Sequence, residues 1–564
     1  MSDTLTNSAW SMRLNRRVGY ADRDSKDAWD RADVLSLLGI VVFSALVRTF
    51  FFTGVMGSDE VVYTGVAVDI VHGIWGSSNY VGSLRWGVNI PVAAFMQIFG
   101  PGEQVANLWA LTCSVGEVAL VFAFARTLWG LKAAALSALA LALVPLHINL
   151  AGRLGADAPL AFFLTLSFFL FYIAERRHAL AWYFGAGLAA GFVYWVKELV
   201  TVYVVVFALY ALLNRPLNSK RSWMLVGLAL MVVGNSVVFW ATTGDPLHLW
   251  RVIGQTTTKY VNTYDVDTSL SYYFRYMFAD GRHTWLVPYL ALAGLLTWAR
   301  QWLKTGVAEP GARYVVIWAV GLIALFSFAV LSLRPLTFIA KQTNYMLMFM
   351  APVSLLAGYF LAQLRGTLLA AWLAVLVGGS LVLAAMEQQA IRTFTANSKA
   401  AVQFAKESRV PVYGLSNAVN VGHYAALVEG RRASPPLIQP IEQLTPKLQT
   451  HAPGAMSPVP AFVAYVVVDQ ETINFGANPF ADPPRIPSCW QKVTLLQPVG
   501  LGWGTSVFDF ASQRLQSLSG GAAASLNNKL ERYFHPKPAF LYGIPPACDE
   551  PVGNSASIPN AAAA

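Results

Sequence analysis

Long apolar runs set the terms on which this chain can fold. Eleven of them follow one another with few charges inside, near 34–53, 103–125, 133–151, 158–174, 179–196, 199–213, 223–241, 284–299, 314–333, 342–362 and 367–386. About 20 mostly apolar residues cross a bilayer core as a helix, within a range of about 17–25. A helix pairs its own backbone polar groups in lipid, so runs of this kind read as spans. The runs 199–213 and 284–299 are short for the purpose. Of the 564 residues 55% are hydrophobic and only 12% are charged, against roughly 25% charged in soluble proteins. That composition excludes a soluble enzyme, a disordered scaffold and a coiled coil. The expectation is a mainly α, polytopic transmembrane helix bundle of about eleven spans.

The formal net charge of +10 would suggest nucleic acid in a soluble protein, so its distribution matters. Seventeen Lys and Arg fall on the N-terminal arm and alternate loops, and nine on the opposite set. Cytoplasmic loops carry the excess of positive charge. The asymmetry predicts an inner (plasma) membrane protein with a cytoplasmic arm over 1–33, a retained signal anchor as first span, and a membrane body over 34–386. Exterior loops at 54–102 and 242–283 and an exterior C-terminal region complete the layout. The charge then needs no nucleic-acid partner. Residues 387–553 are polar and Pro-rich, with strand-like runs at Val410–Leu415, Phe462–Val468 and Lys492–Leu496 and a helix-compatible stretch at Ser398–Glu407. A small exterior (periplasmic) α/β domain is expected there, followed by a disordered tail over 554–564. Three cysteines make no disulfide scaffold or zinc signature. An oxidising compartment would allow Cys489 and Cys548 to pair.

The most informative stretch is Gly57-Ser-Asp-Glu-Val-Val-Tyr63, just beyond the first span. Adjacent carboxylates at a membrane surface are costly to desolvate, which suits base chemistry or metal binding; two solvated loop acids are the bland alternative. Other short motifs follow: Arg85-Trp-Gly-Val-Asn-Ile-Pro91, Asp157-Ala-Pro159, Trp195-Val-Lys197-Glu198, and Lys341-Gln-Thr-Asn-Tyr345 with Pro352. This layout, over about 30–390, resembles the membrane glycosyltransferases of the GT-C fold that use polyprenyl-phosphate sugars, such as protein O-mannosyltransferases and lipid A aminoarabinose transferases. The resemblance matches their acidic pair to Asp59-Glu60, their Asp-x-Pro to Asp157 and Pro159, their mid-chain Lys to Lys197, and their late basic-to-Tyr run to Lys341 and Tyr345. Arg85-Trp-Gly stands where the aminoarabinose transferases have a Lys-Pro-Pro-like run.

The resemblance implies transfer of a sugar from a polyprenyl-phosphate carrier to a hydroxyl of a lipid, glycan or protein acceptor at the exterior face, by inversion. Asp59 is the implied base, with Glu60 beside it and Asp157 orienting the acceptor or a cation. Transfer from a lipid phosphate also needs cations to hold the departing phosphate. Lys197, Lys341, Arg85 and Arg334 fall at exterior span ends, where a lipid phosphate sits; snorkelling to headgroups is the alternative for each. Tyr345, four residues after Lys341, shares a face with it if the segment is helical. No cofactor is required. A divalent cation on Asp59, Glu60 and Asp157 is compatible with the sequence, but carboxylates alone do not establish one.

Arg48 and Glu117 are charges placed inside spans. Their expected depths differ by about two turns, so Arg48 is expected to reach up toward the acidic loop, and Glu117 has no assigned role. Asp265-Val-Asp267 imitates a nucleotide-sugar metal motif in an exterior loop and is read as chance. His72, His147 and His283 lack metal-ligand spacing. The competing readings are a transporter or flippase, with polar residues near the membrane midplane, and a non-catalytic assembly or sensor protein.

Overall fold

Apolar helices that meet through small residues build the body of the molecule. The computed structural model describes residues 29–76, 80–214, 218–263, 269–334, 336–432, 436–444, 462–470, 486–517, 521–546 and 548. Helix α1 spans Arg31–Phe50, α2 Asp59–Val71, α3 Trp86–Phe99, α4 Glu103–Trp129, α5 Leu131–Ala142 and α6 Pro145–Ala151. Then come α7 Asp157–Arg177, α8 Leu180–Val196, α9 Val205–Leu213, α10 Ser222–Thr243, α11 His248–Thr263, α12 Val287–Thr305, α13 Pro310–Phe328, α14 Leu347–Leu361 and α15 Gly366–Glu407. Among the described residues seven helices are long and apolar enough to cross a membrane, and α5 with α6, bent by 64°, makes up to an eighth. The chain is a multi-pass membrane protein. Trp86–Phe99, Leu180–Val196 and Glu198–Leu213 are apolar but shorter.

Close helix contacts explain the register of the bundle. A Cβ at Gly187 or Gly191 of α8 would run into Met224 or Met231 of α10, and one at Gly227 of α10 would meet Phe184. Small residues four apart let helix backbones approach in lipid, where no hydrophobic drive exists between apolar helices. The pairing fixes the end of α8, and therefore Lys197, which follows it with extended backbone (φ −157°, ψ 87°).

Two expected elements take another form. The run 314–333 is helical only to Phe328; Val330–Leu333 (β1) pairs antiparallel with Leu336–Phe338 (β2), placing Arg334 in an exposed turn. A short apolar run is compatible with strand or helix by pattern alone. The last expected span and the stretch Ser398–Glu407 fuse into α15, 42 residues long, or about 63 Å at 1.5 Å per residue. It runs from the bundle into the C-terminal domain.

That domain adds α16 (Ser416–Leu427), α17 (Trp503–Ser517) and α18 (Gly521–Phe534) to a five-stranded sheet. Its strands are β3 Val412–Gly414, β4 Gln439–Pro440, β5 Ala464–Asp469, β6 Gln491–Leu496 and β7 Ala539–Ile544, in the order β4-β3-β5-β7-β6. The β3 strand is parallel to β4 and β5, while β7 is antiparallel to β5 and β6. The β4 and β7 strands lie outside the three strand-like runs. Cys489, before β6, is disulfide-bonded to Cys548, after β7. On α15, Asn397 donates to Asp469 Oδ1 and to the Lys537 carbonyl, both at 3.0 Å. The α16 helix rests on the loop before α2: Asn420 Nδ2 donates to the Gly57 carbonyl at 2.9 Å, and Arg432, just beyond α16, pairs with Asp69 at 3.0 Å. Gly57 has φ +88°, and a Cβ there would collide with Asn417. A residue without a side chain suits both the left-handed backbone and the tight seat.

Candidate active site

The adjacent carboxylates that open α2 have different surroundings. Glu60 is buried, and its Oε1 accepts the backbone N–H groups of Met56 (2.6 Å), Gly57 (2.6 Å) and Ser58 (3.1 Å). It acts as the anchor of the preceding loop. Asp59 points the other way and is exposed, with Tyr80 Oη donating to its Oδ1 at 2.8 Å. Burial first, and then the Asp59 carboxylate, raise the Tyr80 phenol above its ordinary range, so Tyr80 stays a protonated donor.

Arg85, half-buried between the turn Val81–Leu84 and α3, donates from Nη1 to Tyr63 Oη at 2.6 Å. Its Nε lies 3.7 Å from Glu198 Oε2 and is buried without a hydrogen-bond partner among the described residues. Tyr63 sits one turn along α2 from Asp59, on the same face. Its phenol is raised by burial, with Arg85 opposing and Asp59 adding to the shift.

Asp157 opens α7. Lys197 Nζ donates to its Oδ1 and Asn344 Nδ2 to its Oδ2, each at 3.0 Å. Both Asp157 oxygens are engaged, and the carboxylate holds Lys197. The Lys197 ammonium also lies over the Tyr345 ring, 4.0 Å from its centroid, a cation–π contact.

Lys341 and Tyr345 do not share a helix face. Gln342 is extended (φ −137°, ψ 149°), and only Thr343–Met346 turns, as a 3₁₀ segment. Lys341 is buried against Phe338, 5.6 Å from its ring centroid. The carboxylates compatible with a divalent cation are not gathered either. Glu60 is tied to backbone and Asp157 to Lys197 and Asn344, and no group of three His, Cys, Asp or Glu forms a ligand set among the described residues.

Inside the bundle, Arg48 turns away from the acidic loop. Its Nε donates to Ser114 Oγ at 2.7 Å and its Nη2 lies 2.7 Å from His147 Nδ1. His147 Nε2 in turn lies 2.9 Å from Glu117 Oε2, and Thr165 donates to Glu117 Oε1 at 2.9 Å. Arg48 and Glu117 are linked through His147, because the bend between α5 and α6 carries the imidazole between them. Asp265 and Asp267 lie outside the described residues, as do residues 1–28 and 549–564.

Sequence reasoning missed Tyr63, Tyr80, Glu198 and Asn344 as members of this cluster. Tyr63 was within reach, four residues from Asp59 on one helix. Tyr80 and Asn344 are brought in only by folding.

A multi-pass helical body, a charged cluster at its domain-bearing rim and a C-terminal α/β domain define a GT-C fold. ArnT from Cupriavidus metallidurans bound to undecaprenyl phosphate shares it with a TM-score of 0.52 at 16% identity, covering 81% of this chain and 96% of that one. The apo state of that protein gives 0.48 at 17% identity over 76% and 92% of the two chains. The oligosaccharyltransferase AglB from Archaeoglobus fulgidus, in complex with an inhibitory peptide and a dolichol-phosphate, gives 0.43 at 15% over 77% and 69%. No curated protein sequence matches the chain. Over residues 88–240 the sequence matches the family model described as dolichyl-phosphate-mannose-protein mannosyltransferase. That segment includes Asp157 and Lys197, and the chain around it has the GT-C fold.

Proposed function

We propose that this chain transfers a sugar from a polyprenyl-phosphate carrier to a hydroxyl of a lipid, glycan or protein acceptor, at the exterior face of the inner membrane. In this reading the domain-bearing side is exterior and the N-terminus cytoplasmic. The observation that carries the proposal is the contrast at the start of α2: Glu60 Oε1 is taken by three backbone donors, while Asp59 is exposed, one turn from the Tyr63 phenol to which Arg85 donates. The undecaprenyl phosphate named for the Cupriavidus structure supports the class of carrier.

Asp59 takes the proton of the acceptor hydroxyl as its oxygen attacks the anomeric carbon. The bond from that carbon to the carrier phosphate breaks, and the electron pair leaves with the phosphate. One displacement with one base inverts the anomeric centre. Tyr80 orients the Asp59 carboxylate. The leaving phosphate gains negative charge, which pre-placed cations stabilise without reorganisation. Arg85 offers its guanidinium charge, with Glu198 3.7 Å from its Nε, and Lys197 is held by Asp157 on one side and Tyr345 on the other. Lys341 supplies further positive charge from the segment that carries Asn344 and Tyr345.

The test is lipid extraction from cells lacking the chain, complemented with wild type or Asp59→Asn. Cells without it should accumulate a prenyl-linked monosaccharide and make a glycoconjugate short of one sugar. Wild type should restore both, and Asp59→Asn, present at equal level in the membrane, should restore neither. Full restoration by Asp59→Asn removes Asp59 as the base.

A further inference from the structure

Helix α17 has one face packed on the domain and an opposite, apolar face that the fold of the domain leaves exposed. Thr505, Phe508 and Ser512 are buried toward the domain: Gln389 Nε2 donates to Thr505 Oγ1 at 3.0 Å, and Phe508 stacks on Phe534 at 4.4 Å. On the opposite face Trp503, Val507 and Phe510 are 46%, 55% and 64% exposed. Spacings of four and three put them in one stripe along the helix. The outer face of a helix on a water-surrounded domain carries polar residues instead. Arg514, one turn further along this stripe, lies 5.4 Å from the Phe510 ring centroid. Ser506, Asp509 and Gln513 line the flank.

A second observation says what covers the stripe. Helix α1 presents Leu35, Leu38, Val42, Leu46 and Phe50 at spacings of three and four, each 53–68% exposed. In a spanning helix such a stripe faces acyl chains. Phe50 ends it on the domain-bearing side, and the Trp503 ring stands 5.9 Å from the Phe50 ring. The lipid-facing surface of α1 therefore runs on, without a polar break, into the outer face of α17.

We propose that α17 is an interfacial helix: it lies in the leaflet on the domain-bearing side, with Trp503, Val507 and Phe510 set among the acyl chains. Amphipathic helices that lie in the membrane plane bury their apolar face about 5–10 Å into the headgroup boundary. Trp503 occupies the level that tryptophan favours, at the membrane–water boundary. Arg514, at the end of the stripe, extends toward lipid phosphates. The embedded helix sets the height of the domain above the bilayer, and with it the level at which α16 holds the Gly57 loop.

Spin labelling of the full-length chain in lipid nanodiscs of phosphatidylethanolamine and phosphatidylglycerol tests this. Cys113→Ala removes the one free thiol, since Cys489 and Cys548 are paired. Nitroxides are then placed at Val507→Cys, at Phe510→Cys, and at Glu407→Cys, an exposed site at the far end of α15 that serves as the aqueous reference. Collision rates with oxygen at 507 and 510 should be several-fold above the reference, and those with a water-soluble nickel chelate several-fold below it. Rates equal to the reference mean that the stripe faces water and overturn the proposal. Low rates with both probes, together with spin–spin broadening between labels, mean that a second copy covers it and also overturn the proposal.

Discussion

Two charged networks lie in this protein, and they differ in what they leave open. Inside the bundle, Arg48, His147 and Glu117 form a chain whose other polar atoms find Ser114, Thr165 and the Ser44 carbonyl. All three residues are buried. At the rim, Asp59 is exposed with Tyr80 on one oxygen, and Arg85 keeps a buried Nε without a hydrogen-bond partner. A saturated network has nothing to offer a substrate; it holds α1, α4, α6 and α7 to one another. An incomplete one retains donors and an acceptor for a ligand. Burial and charge alone therefore do not mark a site; in the proposed function it is the exposed Asp59 carboxylate that sets the rim apart.

Substitutions that swap the two behaviours test that distinction. The largest effect is expected at the rim: Asp59→Asn should cut transfer by about 10²–10⁴-fold, the usual worth of a general base, with thermal unfolding of the purified protein unchanged. In the interior the reverse is expected. Glu117→Ala leaves a buried cation without its counter-charge and should cost about 3–5 kcal/mol of stability, measured by unfolding in detergent, while transfer per folded molecule is kept. Lys197→Met should lower transfer by about 10²–10³-fold, as for loss of one transition-state donor. Combining it with Asp157→Asn should add little, because Asp157 acts through Lys197; independent, additive losses in initial-rate assays would break that link. The smallest effect is Tyr80→Phe, where one hydrogen bond to a carboxylate is lost. It should cost about 1.5–3 kcal/mol at most in the transfer barrier, read as a lower kcat with the melting temperature held.

How much of the site was legible depends on how far apart its partners lie in the chain. The three donors to Glu60 are two to four residues upstream, so its anchoring role was open to local reading, although the pair Asp59-Glu60 looked like one feature. Tyr80 is 21 residues from Asp59, Lys197 is 40 from Asp157, and Asn344 is 187 from Asp157. Those contacts follow from helix packing, such as the Gly187 and Gly191 seam, and no local pattern encodes them. The Arg48–His147 contact spans 99 residues and depends on the bend after α5; straight spans put Arg48 and Glu117 at different depths.

Composition and apolar run length were enough to make this a helical membrane protein, because lipid accepts no other arrangement of a backbone with these side chains. The rim positions of Asp59, Arg85, Asp157 and Lys197 followed from the same runs, since charges collect where spans end. Which carboxylate stays open, which cation is held and by whom, and which charges cancel inside the bundle were decided only by tertiary structure. Those outcomes are set by hydrogen bonds between residues distant in the chain, and each bond exists only once the helices have met.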